Sequence, residues 1–208
     1  VFALEVFMLD LTTASIVPLL LASASATLTS HFIASPELSF QAEFTHYFDR
    51  KFIPHIVLLG LLAGMFSAFF NRLYFRIQRI FKRINTQGLK LLIGGIALGA
   101  IIYTFPSLFG EGFEEINEML SGKESDVSIF KPEHFGIFIL LLILMLFFKA
   151  LACCITVEAG GIGGIFAPAL FMGSTLGYIF TKVIDFFGLE VNQGQFSLIG
   201  MSALVSGI

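Results

Sequence analysis

Gly160-Gly161-Ile162-Gly163-Gly164-Ile165-Phe166-Ala167-Pro168 separates two long apolar stretches, one ending near Val157 and one running on to Lys182. Four glycines and one alanine leave this backbone open to close approach. Pro168 has a fixed φ and no N–H, which suits the first turn of a helix. The pattern predicts a helix that starts inside an apolar layer, with its unpaired N–H groups and positive dipole end directed at something. In lipid, such backbone is tolerated only where it lines a protein cavity. A helix N-terminus is also a ready site for an anion.

The composition supports the apolar layer. Of 208 residues, 56% are hydrophobic and 13% are charged; soluble domains carry about 25% charged residues. The chain therefore reads as an integral membrane protein. A span needs about 20 predominantly apolar residues, and six candidates occur at 11–30, 53–70, 91–110, 135–157, 164–182 and 191–208. The helical pattern of the second continues through a basic stretch to about Ile84, and residues 1–9 read as the last turns of a further helix. The chain opens on Val1-Phe2-Ala3 and stops at Ser206-Gly207-Ile208 inside an apolar run. It is thus expected to be an internal piece of a longer protein. Three small-xxx-small pairs, Gly60/Gly64, Gly95/Gly99 and Gly173/Gly177, predict close helix packing.

Charge orients the spans. Arg72, Arg76, Arg79, Lys82, Arg83 and Lys90 supply half of the 12 basic residues in one connection. Across the next span, 111–133 carries Glu111, Glu114, Glu115, Glu118, Glu124, Asp126 and Glu133 against Lys123 and Lys131. Positive charge collects on the cytoplasmic side, so residues 72–90 are expected there. The basic run is read as a topology signal rather than a nucleic-acid site. Cys153 and Cys154 are adjacent in apolar surroundings and read as structural thiols. His31, His46, His55 and His134 lack ligand spacing, so no metal is expected. Neither a nucleophile–base pair nor a phosphate loop occurs, so neither an enzyme nor a cofactor is expected. An integral-membrane enzyme and a transporter with a coincidental glycine turn stand as the other classes considered.

With its flanks, Lys149 through Thr156 and then Gly160 to Pro168, the motif resembles a signature of the CLC family of chloride channels and chloride/proton exchangers. That signature has a basic residue late in one helix, a Thr, a glycine-rich turn, and Gly-x-Phe-x-Pro opening the next helix, here Gly164-Ile165-Phe166-Ala167-Pro168. Phe105-Pro106-Ser107-Leu108-Phe109-Gly110-Glu111-Gly112-Phe113 is similar to the family's Pro-x-x-x-Gly-x-Gly-aromatic turn, which precedes a short helix. Val1 to Glu5 is similar to the end of a helix carrying an acid near the cytoplasmic face.

The resemblance implies an all-α polytopic membrane protein with tilted and discontinuous helices. Residues 1–208 would form the central part of one transmembrane domain with no soluble domain. The N–H groups of Ile165 and Phe166, next to Gly164, would bind chloride. Gly160, Gly161 and Gly163 would allow the turn, Ala167 and Pro168 would start the helix, and Phe166 would line the pathway. Lys149 either raises the local potential or pairs within the fold. Glu158 either pairs with Lys149 or faces an aqueous vestibule.

Glu5 reads as structural or as a partner for a basic group. Val6 stands where proton-coupled members often carry glutamate, so passive conduction is expected ahead of coupled exchange. The complete protein would be a homodimer in the plasma or bacterial inner membrane, with chloride and the lipid bilayer as its partners. Span 11–30 would be the dimer contact.

Overall fold

A computed structural model describes residues 13–33, 50–121, 135–161, 163–189 and 191–208. Glu5 and Val6 lie outside these. The chain divides into two compact units, residues 1–39 and 40–208. The first holds α1 (Thr13–Ile33), with Pro18 inside it. Its hydroxyls bond back along the helix, Thr27 Oγ1 to the Ser23 carbonyl at 2.9 Å and Thr29 Oγ1 to that of Ser25 at 2.8 Å. Such bonds satisfy polar groups where water is scarce.

Among its described residues the second unit has six α-helices: α2 (Ile53–Lys82), α3 (Gln87–Thr104), α4 (Phe113–Ser121), α5 (Phe135–Ala159), α6 (Phe166–Phe186) and α7 (Gln193–Gly207). Short 3₁₀ turns precede α2 at Arg50–Phe52 and follow α3 at Pro106–Leu108. All the described elements are helical, as the apolar periodicity requires.

Four helices, α2 with its leading turn, α3, α5 and α6, are long and apolar enough to cross a membrane. α1 and α7 coincide with the other two apolar stretches. The 15 residues of α7 rise about 22 Å at 1.5 Å per residue, short of a hydrocarbon core of about 30 Å. The basic stretch continues α2 as expected, and the helix stops at Lys82.

The helix that begins at the glycine motif is the centre of the unit. In α6, 67% of the membrane-length window is buried, against 11% in α3. Phe171, Met172, Ser174, Thr175 and Thr181 are fully enclosed. Thr175 Oγ1 and Thr181 Oγ1 donate to the carbonyls of Phe171 and Gly177, so these buried hydroxyls are satisfied within their own helix. One apolar cluster joins α3, α4, α5 and α6 around Ile116, Met119, Phe171 and Tyr178. A second joins α2, α5, α6 and α7 around Phe70, Cys154, Met172 and Leu204.

Contact between α6 and α7 is made backbone to backbone. A Cβ at Gly173 would enter the main chain of Gly200 and Met201, and one at Gly177 would enter that of Phe196 and Ser197. Gly200 returns the relation, its missing Cβ facing Gly173 and Gly177. The other two small-xxx-small pairs differ from expectation. At Gly60, Gly64, Gly95 and Gly99 a Cβ would meet nothing among the described residues. In α3 the close approach falls instead at Gly94, against Ala159 of α5.

Gly177→Val should therefore force α6 and α7 apart and destabilise the protein by about 1–3 kcal/mol or more. Gly60→Val should stay within about 0.5 kcal/mol. Thermal unfolding of the two purified variants, followed by size-exclusion recovery, distinguishes them.

Candidate functional site

The turn between α5 and α6 begins with a complete helix stop. Gly160 takes φ +101°, in the left-handed region that favours glycine. Its N–H donates to the Val157 carbonyl at 3.2 Å, and the Gly161 N–H donates to the Thr156 carbonyl at 2.8 Å. This pair of bonds is a Schellman closure and satisfies two of the carbonyls that a helix end leaves open. Gly161 also lies where a Cβ would strike Thr156. Gly160 and Gly161 thus make the turn. Gly163 and Gly164 do something else: a Cβ at Gly163 would face open space, and one at Gly164 would meet the backbone nitrogen of Phe166 at 3.9 Å.

α6 begins at Phe166, with Ile165 as its N-cap. Ile165 accepts the first helical bond from the Ala169 N–H at 2.9 Å, and no side chain caps this end. Pro168 sits in the first turn, where its missing N–H costs nothing. The side chain of Ile165 packs into the cluster joining α2, α5, α6 and α7. The end carries a partial charge of roughly +0.5.

Next to it lies a cavity of about 560 Å³. Gly163, Gly164, Phe166, Ala167 and Pro168 form one wall, and Lys149, Ala152, Cys153, Thr156 and Val157 of α5 form the second. Leu98 and Ile102 of α3 complete it together with Leu108, Phe109, Gly110 and Glu111. The last four belong to the turn before α4. The sequence singled out that turn but gave no sign that it folds over the glycine motif. Gly110 and Gly112 make the fold-back, at φ +72° and +80°. They bend the chain back toward α6, and a Cβ at Gly112 would enter the Phe171 ring.

Lys149 joins these walls. It is 3% exposed, and its Nζ donates to the carbonyls of Leu108 at 3.1 Å and Gly110 at 2.9 Å. The same ammonium lies 4.7 Å from the centre of the Phe171 ring. It is therefore paired within the fold, and with carbonyls rather than with Glu158. Glu158 turns to α2 instead, where its carboxylate accepts from Gln78 Nε2 at 3.2 Å and is approached by Tyr74. Cys153 and Cys154 are buried free thiols, Cys153 on the cavity wall and Cys154 in the core.

Over its whole length, residues 1–208, the sequence matches the family described as "Voltage gated chloride channel". It is 32% identical over 157 residues to the H(+)/Cl(-) exchange transporter ClcA of Klebsiella pneumoniae, which covers 72% of this chain and 30% of that protein. To the protein of the same name in Vibrio cholerae it is 33% identical over 156 residues, 71% of this chain and 30% of the other. A ClcB-like protein of Ralstonia nicotianae aligns at 26% identity over 210 residues, covering 99% of this chain and 46% of that one. The chain thus spans between about a third and a half of the length of these relatives.

Lys149→Met should leave the carbonyls of Leu108 and Gly110 without a donor, at about 1–3 kcal/mol for each group left unpaired. Lys149→Arg, which keeps both charge and donors, should lose less. A fall in unfolding temperature graded Met below Arg below wild type checks this.

Proposed function

Because the chain belongs to the voltage-gated chloride channel family, we propose that the complete protein moves chloride across the membrane through the cavity at the start of α6, in coupled exchange with protons. One observation carries the chloride reading: the N-terminus of α6, with no side-chain cap, forms the wall of a cavity that also holds a buried cation, Lys149. In this reading the N–H groups of Ile165 and Phe166 donate to the anion. Gly163 and Gly164 leave it room, and Phe166 lines its path. Partial charges at a helix end attract an anion strongly enough to strip some of its water, yet weakly enough to release it. Lys149 adds potential without clamping the ion, because two of its three donors are engaged by carbonyls.

Exchange replaces the passive conduction expected from Val6. Relatives named as H(+)/Cl(-) exchange transporters match at 32–33% identity. One apolar residue at position 6 closes one proton route only, and the chain holds other carboxylates close to the broken helix, Glu111 on the cavity wall and Glu158 in the last turn of α5. The complete protein is taken to be a homodimer in the plasma or bacterial inner membrane, with the Ala/Ser-rich segment 11–30 at the contact. Residues 72–90 are taken to face the cytoplasm.

The test uses the full-length protein in liposomes under a chloride gradient, recording external chloride and pH together. Chloride efflux should drive protons uphill. Gly164→Leu should slow it roughly tenfold or more, which requires only about 1.4 kcal/mol of added barrier. Efflux without proton movement beyond leak overturns exchange in favour of passive flow. No chloride movement beside an active control overturns the anion reading.

A further inference from the structure

The outward face of α2 changes character along a single line. Leu58, Leu61, Met65 and Phe69 follow one another at helical spacing, and all four side chains are exposed. The same line then continues through Arg72, Arg76, Arg79 and Arg83, also exposed. Steps of three and four residues keep the whole series on one side of a 3.6-residue helix. The packed line of the helix runs through Leu59, Ala63, Phe66, Phe70, Tyr74, Ile77 and Phe81. Each arginine from Arg72 to Arg83 stands two residues beyond a member of that line, a rotation of about 200°. The cationic strip is therefore the direct extension of the apolar face and points away from the protein core.

Nothing among the described residues neutralises it. The four guanidinium groups make neither a hydrogen bond nor an ion pair to another described residue. No Asp or Glu occurs between residues 50 and 110. Exposed Phe75 and Ile80 flank the arginines, 55% and 51% accessible. Rings and branched aliphatics beside a row of guanidiniums suit a surface that is apolar at one depth and anionic at the next. Length fits as well. The helix rises about 45 Å, while hydrocarbon occupies about 30 Å. Some 20 residues after Ile53 the line reaches Arg72, and the remaining arginines fall at headgroup depth.

We propose that Arg72, Arg76, Arg79 and Arg83 form a binding strip for acidic phospholipid headgroups. The fork of each guanidinium matches the phosphate oxygens, and Leu58 to Phe69 contact the acyl chains of the same lipids. Continuity with the apolar line selects lipid over a soluble acidic partner, which would have no use for the lower half of the face. The strip stands apart from the chloride cavity and does not depend on the transport reading.

Native mass spectrometry of the detergent-purified full-length protein tests it, titrating phosphatidylglycerol against phosphatidylcholine of the same chain length. Wild type should retain phosphatidylglycerol preferentially. R76Q/R79Q should lose affinity on the order of 25-fold, taking about fivefold for each basic residue at a membrane surface. R76K/R79K should keep most of it, and R50Q/K51Q, which removes the same charge from the other end of α2, should stay within about twofold. Absence of a headgroup preference in wild type, as when another segment or a second copy covers the strip, overturns the proposal. Equal losses in the two neutralised pairs also overturn it. Should R76Q/R79Q not fold, the wild-type preference must still weaken as salt rises from about 50 to 500 mM, and a salt-insensitive preference counts against the strip.

Discussion

Unpaired backbone cannot sit in hydrocarbon, and the described helices are arranged around the break between α5 and α6, two helices long and apolar enough to cross a membrane. α5 ends at Ala159 and α6 begins at Phe166. The two ends are treated differently. At the α5 end, Gly160 and Gly161 fold their N–H groups back onto Val157 and Thr156 and close the helix on itself. At the α6 end no side chain caps the first turn. That end needs a polar cavity, and α3, α5 and the turn at 108–111 supply its walls.

The walls hold their positions through a closed set of contacts. Gly112 lacks the Cβ that would displace the Phe171 ring. The ring therefore lies beneath the Lys149 ammonium. That ammonium in turn holds the carbonyls of Leu108 and Gly110, four and two residues before Gly112. A buried lysine is costly in a membrane unless it meets polar groups, so the same cation that charges the cavity also fixes the loop covering it. Removing any member loosens the others.

The parts readable from sequence were those whose chemistry is local. A glycine at a positive-φ stop and a proline in a first turn can be read at residues 160–168 without knowing any neighbour. The extent of α2 follows from its own periodicity. Tertiary facts were hidden. Gly60/Gly64 and Gly173/Gly177 look alike in sequence, yet among the described residues only the second pair meets a partner backbone, because Gly200 of α7 stands opposite. Lys149 and Glu158 looked like a candidate ion pair nine residues apart. Nine residues leave the two on opposite sides of a helix, separated by about 180°, and each finds its partner on a different element. The wall at 108–111 depended on a fold-back that no spacing encodes.

The same separation decides which charged groups reach the cavity wall. Three negative features lie close to the turn: the C-terminal end of α5, Glu158 and Glu111. The first is closed off by the Schellman bonds. The second is carried round α5 to Gln78 and is not among the groups lining the cavity. Among the lining groups Glu111 is the carboxylate, and Lys149 feels both Glu115, the stronger influence, and Glu111. With one lysine set against one glutamate, the formal charges on the wall nearly cancel. The N-terminus of α6 adds a fractional positive charge of roughly +0.5, fixed in the backbone. A side-chain substitution can change what Lys149 or Glu111 contributes, but the contribution of the helix end is set by the direction of the backbone.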